Sequence, residues 1–302
     1  MNIRTVLLAF SLVSVAVDVS AAAKCNRACL SSVLDQYVGA LLKHDPAAAP
    51  LAANLRFTEN ADVLKAGDGL WKTATALGKV QRRYVDAVNG QAVYFGHVVE
   101  GDATNIATLR IRVVDKKITE AEHVVGRRID GMFNPDGLTA NPPLEKPIDK
   151  ASRSSRAAMV AAANSYFDGI QFHDSAKVLG TQGCERIENG VMTAGPKPGP
   201  APVPSLGGGP PVKGDCGSFM EDFKATIAEV KPRRYPVVDE EAGVVLGMVV
   251  FNRPPGAKRQ DGSAYPRNLL TEIFVIEKGR IKGIYAAMHY MTPDNPDAPG
   301  WK

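Results

Sequence analysis

The chain has 302 residues, 45% of them hydrophobic and 23% charged, and a net charge of +4. This length accommodates two domains of ordinary size, and the composition excludes a disordered chain. The basic residues are scattered, with Arg82-Arg83 and Arg233-Arg234 as isolated pairs, so no nucleic-acid partner is expected.

The first predicted element is an export signal over residues 1–23. Arg4 gives a positive start, Thr5 to Val17 is an apolar run, and Ser20-Ala21-Ala22-Ala23 offers small residues for cleavage. The run is shorter than the roughly 20 residues a membrane span needs. Lys24 stands before Cys25 where a lipid anchor would want a small residue. A periplasmic or secreted protein with no membrane anchor is therefore expected. Four cysteines suit that compartment. Cys184 and Cys216 flank a Pro/Gly-rich excursion and are the expected disulfide. Cys25 and Cys29 stand four apart at the start of a predicted helix and could pair only if that turn is distorted. None of the five histidines has CxxC or HxxxH company, so no metal is expected.

The next element is an amphipathic helix, with apolar residues at Leu30, Val33, Leu34, Tyr37, Val38, Leu41 and Leu42. It stops at His44-Asp45-Pro46, where proline cannot continue it. Further helical or loop structure is expected to follow. Strands then follow over Gln91 to Val99, Ile106 to Val114 and Ile118 to Val125, the last two joined by a tight turn at Asp115-Lys116-Lys117. Asp130 to Asp149 contains four prolines and reads as part of a linker over 130–152.

Beyond the linker the pattern repeats. Tyr37, Asp45, Glu59 and Asn60 recur as Tyr166, Asp174, Glu188 and Asn189 at one offset, 129. Arg82-Arg83-Tyr84 with Asp86 and Gly90 matches Arg233-Arg234-Tyr235 with Asp239 and Gly243. Asn105 to Ile118 matches Asn268 to Ile281 without a gap, at offset 163. The offset grows across Pro196 to Gly214 and across Arg253 to Pro266, both rich in Pro or Gly and read as loop insertions. The chain thus divides into a domain over 24–129 and a second over 153–302, the latter with an insertion over 195–214. Helices first and strands after make the fold class α+β.

YVGALLKHDPAAAPLAANLRFTEN, followed by strands ending KKITEAEHVV, resembles the nuclear transport factor 2-like superfamily, with SnoaL-like domains as the nearest relatives. The second copy, with HDSAKVLGTQGCERIENG and EKGRIKGIYAAM, is similar to a group of secreted fungal and bacterial proteins of unknown function. The resemblance covers about 24 to 128 and 153 to 290. It implies two tandem cone-shaped domains, each with helices packed in a curved antiparallel sheet around a pocket. Ketosteroid isomerases, polyketide cyclases, scytalone dehydratase, epoxide hydrolases and a lignin-fragment lyase belong to that superfamily. Its enzymes generally use no cofactor, and many other members only bind or associate.

The resemblance makes Tyr37 the candidate oxyanion donor and Glu59 the candidate base, since an isomerase carries a tyrosine on its first helix and a carboxylate after it. Burial in an apolar cone should raise the Glu59 pKa. Arg110 and Arg112 project from one strand face, with Glu120 and Glu122 on the next strand. On a concave face these form a charged pocket floor with Arg110 and Glu122 as catalytic candidates. On a convex face they are a solvated ladder. The second copy has Ile273, Val275, Gly283 and Tyr285 there, a contrast that would instead reflect an interface if the two faces pack together. Asn60, Trp71, Tyr84, His97, Tyr166, Arg186 and Glu188 are the candidate substrate-binding residues.

There is no GxSxG, Walker or dinucleotide glycine motif. The expected function is cofactor-free acid–base catalysis, of lyase, isomerase or dehydratase type, on a small, largely apolar or aromatic molecule. The alternative is a secreted, non-catalytic ligand-binding or association module. The expected partner is a small-molecule ligand, and a homo-oligomer is compatible with either reading.

Overall fold

The computed structural model describes residues 25–143, 148–196, 212–259 and 261–291. Its first helix, α1 (Arg27–Leu42), buries Leu30, Val33, Leu34, Tyr37, Val38 and Leu41, the stripe its periodicity dictates. The Asn26 side chain caps its start by accepting from Cys29 N. His44 ends it in the left-handed region, at φ 56°, with its ring against the Trp71 carbonyl. The later helix α4 (Arg156–Phe172) has the same construction. Ser155 caps it, and His173, at φ 53°, turns the chain away.

Around α1 lies a sheet of β1 (Leu51–Glu59), β2 (Asp62–Leu64), β3 (Ala74–Asp86), β4 (Gln91–Glu100), β5 (Ala103–Val114) and β6 (Lys117–Gly126). Its order is β2-β1-β6-β5-β4-β3. The stretch expected to be helical or loop is therefore mostly strand, interrupted by the single turn α2 (Leu70–Thr73). The sheet is mixed rather than antiparallel, because β1 pairs β6 in parallel. After the short helix α3 (Pro135–Ala140), the second half repeats this plan. Its strands are β7 (Gly180–Glu188), β8 (Val191–Gly195), β9 (Val212–Lys213), β10 (Glu229–Asp239), β11 (Val244–Asn252), β12 (Asn268–Glu277) and β13 (Arg280–Tyr290). They run β10-β11-β12-β13-β7-β8-β9, again with a parallel β13–β7 pair. The fold class is α+β, two cones in tandem.

Strand alternation sends one set of side chains to the helix and the other outward. Leu109, Ile111 and Val113 face α1, while Leu270, Phe274 and Ile276 face α4. The opposite faces meet each other. Val93, Phe95, Ile106 and Val124 of the first sheet share one core with Leu246, Met248, Leu269 and Ile273 of the second.

Repeat-equivalent residues cross that junction reciprocally. Arg27 donates to both oxygens of Asp239, at 2.8 Å each, and its equivalent Arg156 pairs with Asp86. Val85 N donates to Asp239 and Val238 N to Asp86, at 2.9 and 3.0 Å. The equivalents Thr108 and Thr271 meet hydroxyl to hydroxyl at 2.6 Å.

This junction corrects the placement of the arginine–glutamate rungs. Arg110 and Glu122 are each 3% exposed, so they form neither a pocket floor nor a solvated ladder. Glu122 accepts from Arg234 of the other sheet at 2.6 and 3.1 Å, and Arg110 Nη2 donates to Glu120 at 2.6 Å. Arg110 and Glu122 are buried between the two sheets, whereas Arg112, 49% exposed, pairs with Glu120 at 2.9 Å as a solvated rung.

Both disulfides are formed, Cys184–Cys216 and Cys25–Cys29. The second needs no distorted helix, because Cys25 precedes the cap and only Cys29 is helical. Two disulfides fit an oxidising compartment. Among the described residues no helix is long and apolar enough to cross a membrane. The signal peptide over 1–23 and most of the insertion over 195–214 lie outside the described residues.

Candidate functional site

Each cone carries one row of three inward positions across its central strands. In the first cone the row is Leu109, His123 and Glu59, on β5, β6 and β1. In the second it is Glu272, Ala286 and Glu188, on β12, β13 and β7. A tyrosine of the helix stands over each, Tyr37 or Tyr166, both fully buried.

In the first cone the acid is held by several partners, although His123 Nδ1 and Trp71 Nε1 have no hydrogen-bond partner among the described residues. The Tyr37 hydroxyl meets His123 Nε2 at 2.9 Å, and His123 Nδ1 lies 3.6 Å from Glu59 Oε2. Leu70 N donates to Glu59 at 2.8 Å and Arg127 Nη2 at 2.9 Å. Arg127 is itself held by Glu100, at 2.7 Å. Gly69, at φ +61°, lets the chain pass so close that a Cβ there would stand 2.4 Å from the carboxylate. Trp71 packs edge-on to Tyr37 at 5.2 Å, and Phe57 packs against the His123 ring at 4.8 Å.

These contacts reverse the expected Glu59 pKa. Burial pushes it up, but the hydrogen bond and charge of His123, the Arg127 guanidinium and Leu70 N more than offset this, leaving it at about 2. The phenol of Tyr37 is pushed up, chiefly by burial.

In the second cone the same row is unsatisfied. Glu272 is fully buried, and neither carboxyl oxygen has a hydrogen-bond partner among the described residues. Burial, and then the Glu188 charge, raise its pKa well above the carboxylate range, with Arg186 opposing. The Tyr166 hydroxyl also lacks a regular hydrogen bond, and burial followed by Glu272 raises it against the pull of Arg186. Arg186 Nε donates to Thr193 Oγ1 at 2.8 Å and lies 3.8 Å from Glu188. Where the first cone has the His123 ring, the second has only the Ala286 methyl. Leaving a buried polar group unpaired costs about 1–3 kcal/mol, a cost that a bound ligand can relieve.

Of the predicted residues, the structure brings Tyr37, Glu59 and Trp71 together in the first cone. It brings Tyr166, Arg186 and Glu188 together in the second. Asn60 extends the ladder instead, bonding Val125 N and O at 2.8 and 3.1 Å, and its equivalent Asn189 does the same at Met288. Tyr84 lies in the core between the sheets. His97, on β4, is 2% exposed with Nε2 unpartnered, and burial lowers its pKa. Arg110 and Glu122 belong to the junction.

Sequence reasoning missed His123 and Glu272. Each is a lone polar residue on the inward parity of an apolar strand, between Ala121 and Val125 and between Leu270 and Phe274. That parity was the available signal. An open groove of about 750 Å³ runs along the outer face of α1 past Ser31, Ser32 and Gln36, and holds none of these groups.

The fold and this row define a tandem two-cone protein whose buried acid is held in one interior, at Glu59, and unpartnered in the other, at Glu272. Residues 152–288, the second cone, match the family described as Domain of unknown function (DUF8021). No curated protein sequence matches the chain. Among solved structures, a protein from Sphaerobacter thermophilus is similar at 12% identity, over 44% of this chain and 95% of that one, with a TM-score of 0.28. An NTF2-like protein from Burkholderia xenovorans LB400 is similar at 11% identity, over 45% and 92%, with a TM-score of 0.29. The architecture itself rests on the strand order and on the helix within each sheet.

Proposed function

We propose that the second cone is a cofactor-free acid–base site for a small, largely apolar or aromatic molecule bearing a carbonyl. One observation carries the reading: the fully buried, partnerless carboxyl of Glu272, whose pKa burial raises, beside the buried Tyr166 hydroxyl without a regular hydrogen-bond partner. Two such donors facing one point suit an oxygen that gains negative charge. The carboxylate of Glu188, beside Arg186, takes a proton from the carbon next to the carbonyl. The electron pair of that C–H bond moves onto the carbonyl oxygen, which Tyr166 and Glu272 hold. Glu188 then returns the proton to a neighbouring carbon, as in an isomerase, or the enolate expels a leaving group, as in a lyase or dehydratase. The superfamily resemblance supports this division of roles, with Tyr166 standing for the helix tyrosine. Secretion or export to the periplasm accords with the two disulfides.

The test uses 4-nitrophenol, whose absorbance separates phenol from phenolate. Wild type should bind it and favour the phenolate. Tyr166→Phe and Glu272→Leu should each weaken binding at least about tenfold, the loss of one hydrogen bond to a charged oxygen. Tyr37→Phe and Glu59→Gln should leave it unchanged. Binding that is absent, or indifferent to both second-cone substitutions, rejects the site. Binding that follows these substitutions without turnover of any carbonyl compound would favour the binding-module alternative.

A further inference from the structure

The strands β4 and β5 of the first cone are joined by two residues, Gly101 and Asp102, whereas β11 and β12 of the second are separated by residues 253–267. The extra segment is basic and aromatic: Arg253, Lys258, Arg259 and Tyr265 against a single acid, Asp261. It is tied down locally. Lys258 bridges Ala264, and Arg259 N donates to the Ser263 carbonyl at 2.9 Å. Arg253 fastens its base, donating to the carbonyls of Pro266 and Thr226 at 2.8 and 2.9 Å.

This segment gathers a cationic, aromatic cluster at one end of the second cone. The Arg253 guanidinium lies 4.2 Å from the centre of the Tyr265 ring. Arg259 lies 5.9 Å from the same ring and 5.4 Å from that of Tyr290. Such stacking orients a guanidinium while leaving its in-plane donors for a carboxylate. The Arg259 Nε is buried and has no hydrogen-bond partner among the described residues. Asp261 is exposed and spends one oxygen on Ser263, bonding both its N and its hydroxyl.

The cluster lies on the line that leads to the row described above. Tyr290 pairs with Asn268 on the first rung of β12 and β13, and Glu272 pairs with Ala286 deeper along the same two strands. Asn268, Leu270 and Glu272 share one strand face by alternation. The Asn268 side-chain oxygen is a further buried acceptor without a partner among the described residues. At about 3.3 Å per residue, four residues separate rim from row by roughly 13 Å. That span is of the order of a one- or two-ring molecule with its polar ends.

We propose that residues 253–259 and 261–266 form an anion-selecting rim of the second cone, and that its substrate is a small planar molecule carrying a carboxylate at the end remote from its reacting carbonyl. The inference rests on the second-cone reading above and gives it a substrate class. Arg259 and Arg253 take the carboxylate, Tyr265 and Tyr290 flank the ring, and the apolar face of β12 guides the far end to Tyr166 and Glu272.

The test compares matched acids and primary amides on the full chain by calorimetry: benzoic, cinnamic, 4-hydroxycinnamic and 2-naphthoic acid, each against its amide. At least one acid should bind about tenfold or more tighter than its amide, with an affinity that falls as salt rises. Arg259→Gln should abolish that preference and Arg259→Lys restore part of it, while the melting temperature of both variants stays as in wild type. Arg253→Gln is the secondary variant, because Arg253 also anchors the segment. No acid preference, or one unchanged in Arg259→Gln, overturns the rim even where the 4-nitrophenol response survives. Loss of that response to Tyr166→Phe and Glu272→Leu is a separate failure, of the interior site.

Discussion

The two cones spend the same three positions differently. The first places Leu109, His123 and Glu59 across its sheet, and the second places Glu272, Ala286 and Glu188 there. Both therefore set one acid at the β1 or β7 position under a helix tyrosine. In the first, the imidazole stands between phenol and carboxylate, and Leu70 N and Arg127 bond one carboxylate oxygen each, so the acid is fully held. In the second, the bridge is a methyl group and an extra carboxyl enters from β12 with nothing to bond. A closed buried network stabilises its own fold, whereas an open one costs stability until something binds. One fold thus supplies a half whose buried acid is held and a half whose buried acid is left open.

The largest effect should come from the feature the halves share. Asp86 and Asp239 are each about 1% exposed, and each accepts an arginine and a backbone N–H from the opposite half. Asp86→Ala or Asp239→Ala should each cost about 3–5 kcal/mol, because a buried backbone N–H, further backbone donors and a half-buried arginine all lose one charged acceptor, at about 1–3 kcal/mol each. Urea unfolding measures this, and clearly unequal losses would break the reciprocity. Next come the disulfides. Cys184 and Cys216, 32 residues apart, should contribute about 4 kcal/mol when both are replaced by alanine, by loop entropy. Cys25 and Cys29, four apart, should contribute about 2 kcal/mol on the same basis. A thermal melt of each double variant ranks them.

The sharpest division lies in the pH dependence of the two acids. Glu59 is depressed to about 2, so its stabilisation is present above the unfolded carboxyl pKa and is lost as pH falls toward 2. Glu59→Gln should cost on the order of 3 kcal/mol at pH 7 and progressively less in acid. Glu272 is raised, so between its unfolded and folded pKa values the native state holds a proton that the unfolded state releases. Stability is then lost as pH rises, and Glu272→Gln should stabilise by about 1–3 kcal/mol at pH 8 and by almost nothing near pH 4. Unfolding midpoints across that range check both signs. Two variants moving in the same direction would erase the proposed distinction between the cones.

Much of this was legible from residues alone. The helix stripe from Leu30 to Leu42, the paired offsets and the strands around Ile106 and Leu269 all rest on local periodicity, which packing did not override. The tight turn at Asp115-Lys116 formed without glycine, both residues adopting positive φ. The strands β1 and β3 were hidden because LAANLRFTE lacks β-branched repetition and β3 is a polar edge. Their strand character comes from pairing, and the partner of β1 lies some sixty residues away on β6. Tyr37 and Glu59 were placed inward correctly, but the sign of the Glu59 pKa depended on Arg127 and His123, which only the folded chain brings near. Glu272 was overlooked because a single acid in LLTEIFVI reads as a tolerated interruption until its parity is traced inward.

The bond between Glu122 and Arg234 has no mirror image. Its counterpart would join Tyr285 to Arg83, and those residues instead bond Glu185 and Asp35. Two identical subunits could not make such a contact once, since every change on one side would be copied onto the other. A chain that contains both partners escapes that obligation. Each mating surface can mutate singly, and with it the chamber behind, so one half is free to specialise while its twin keeps the pair assembled.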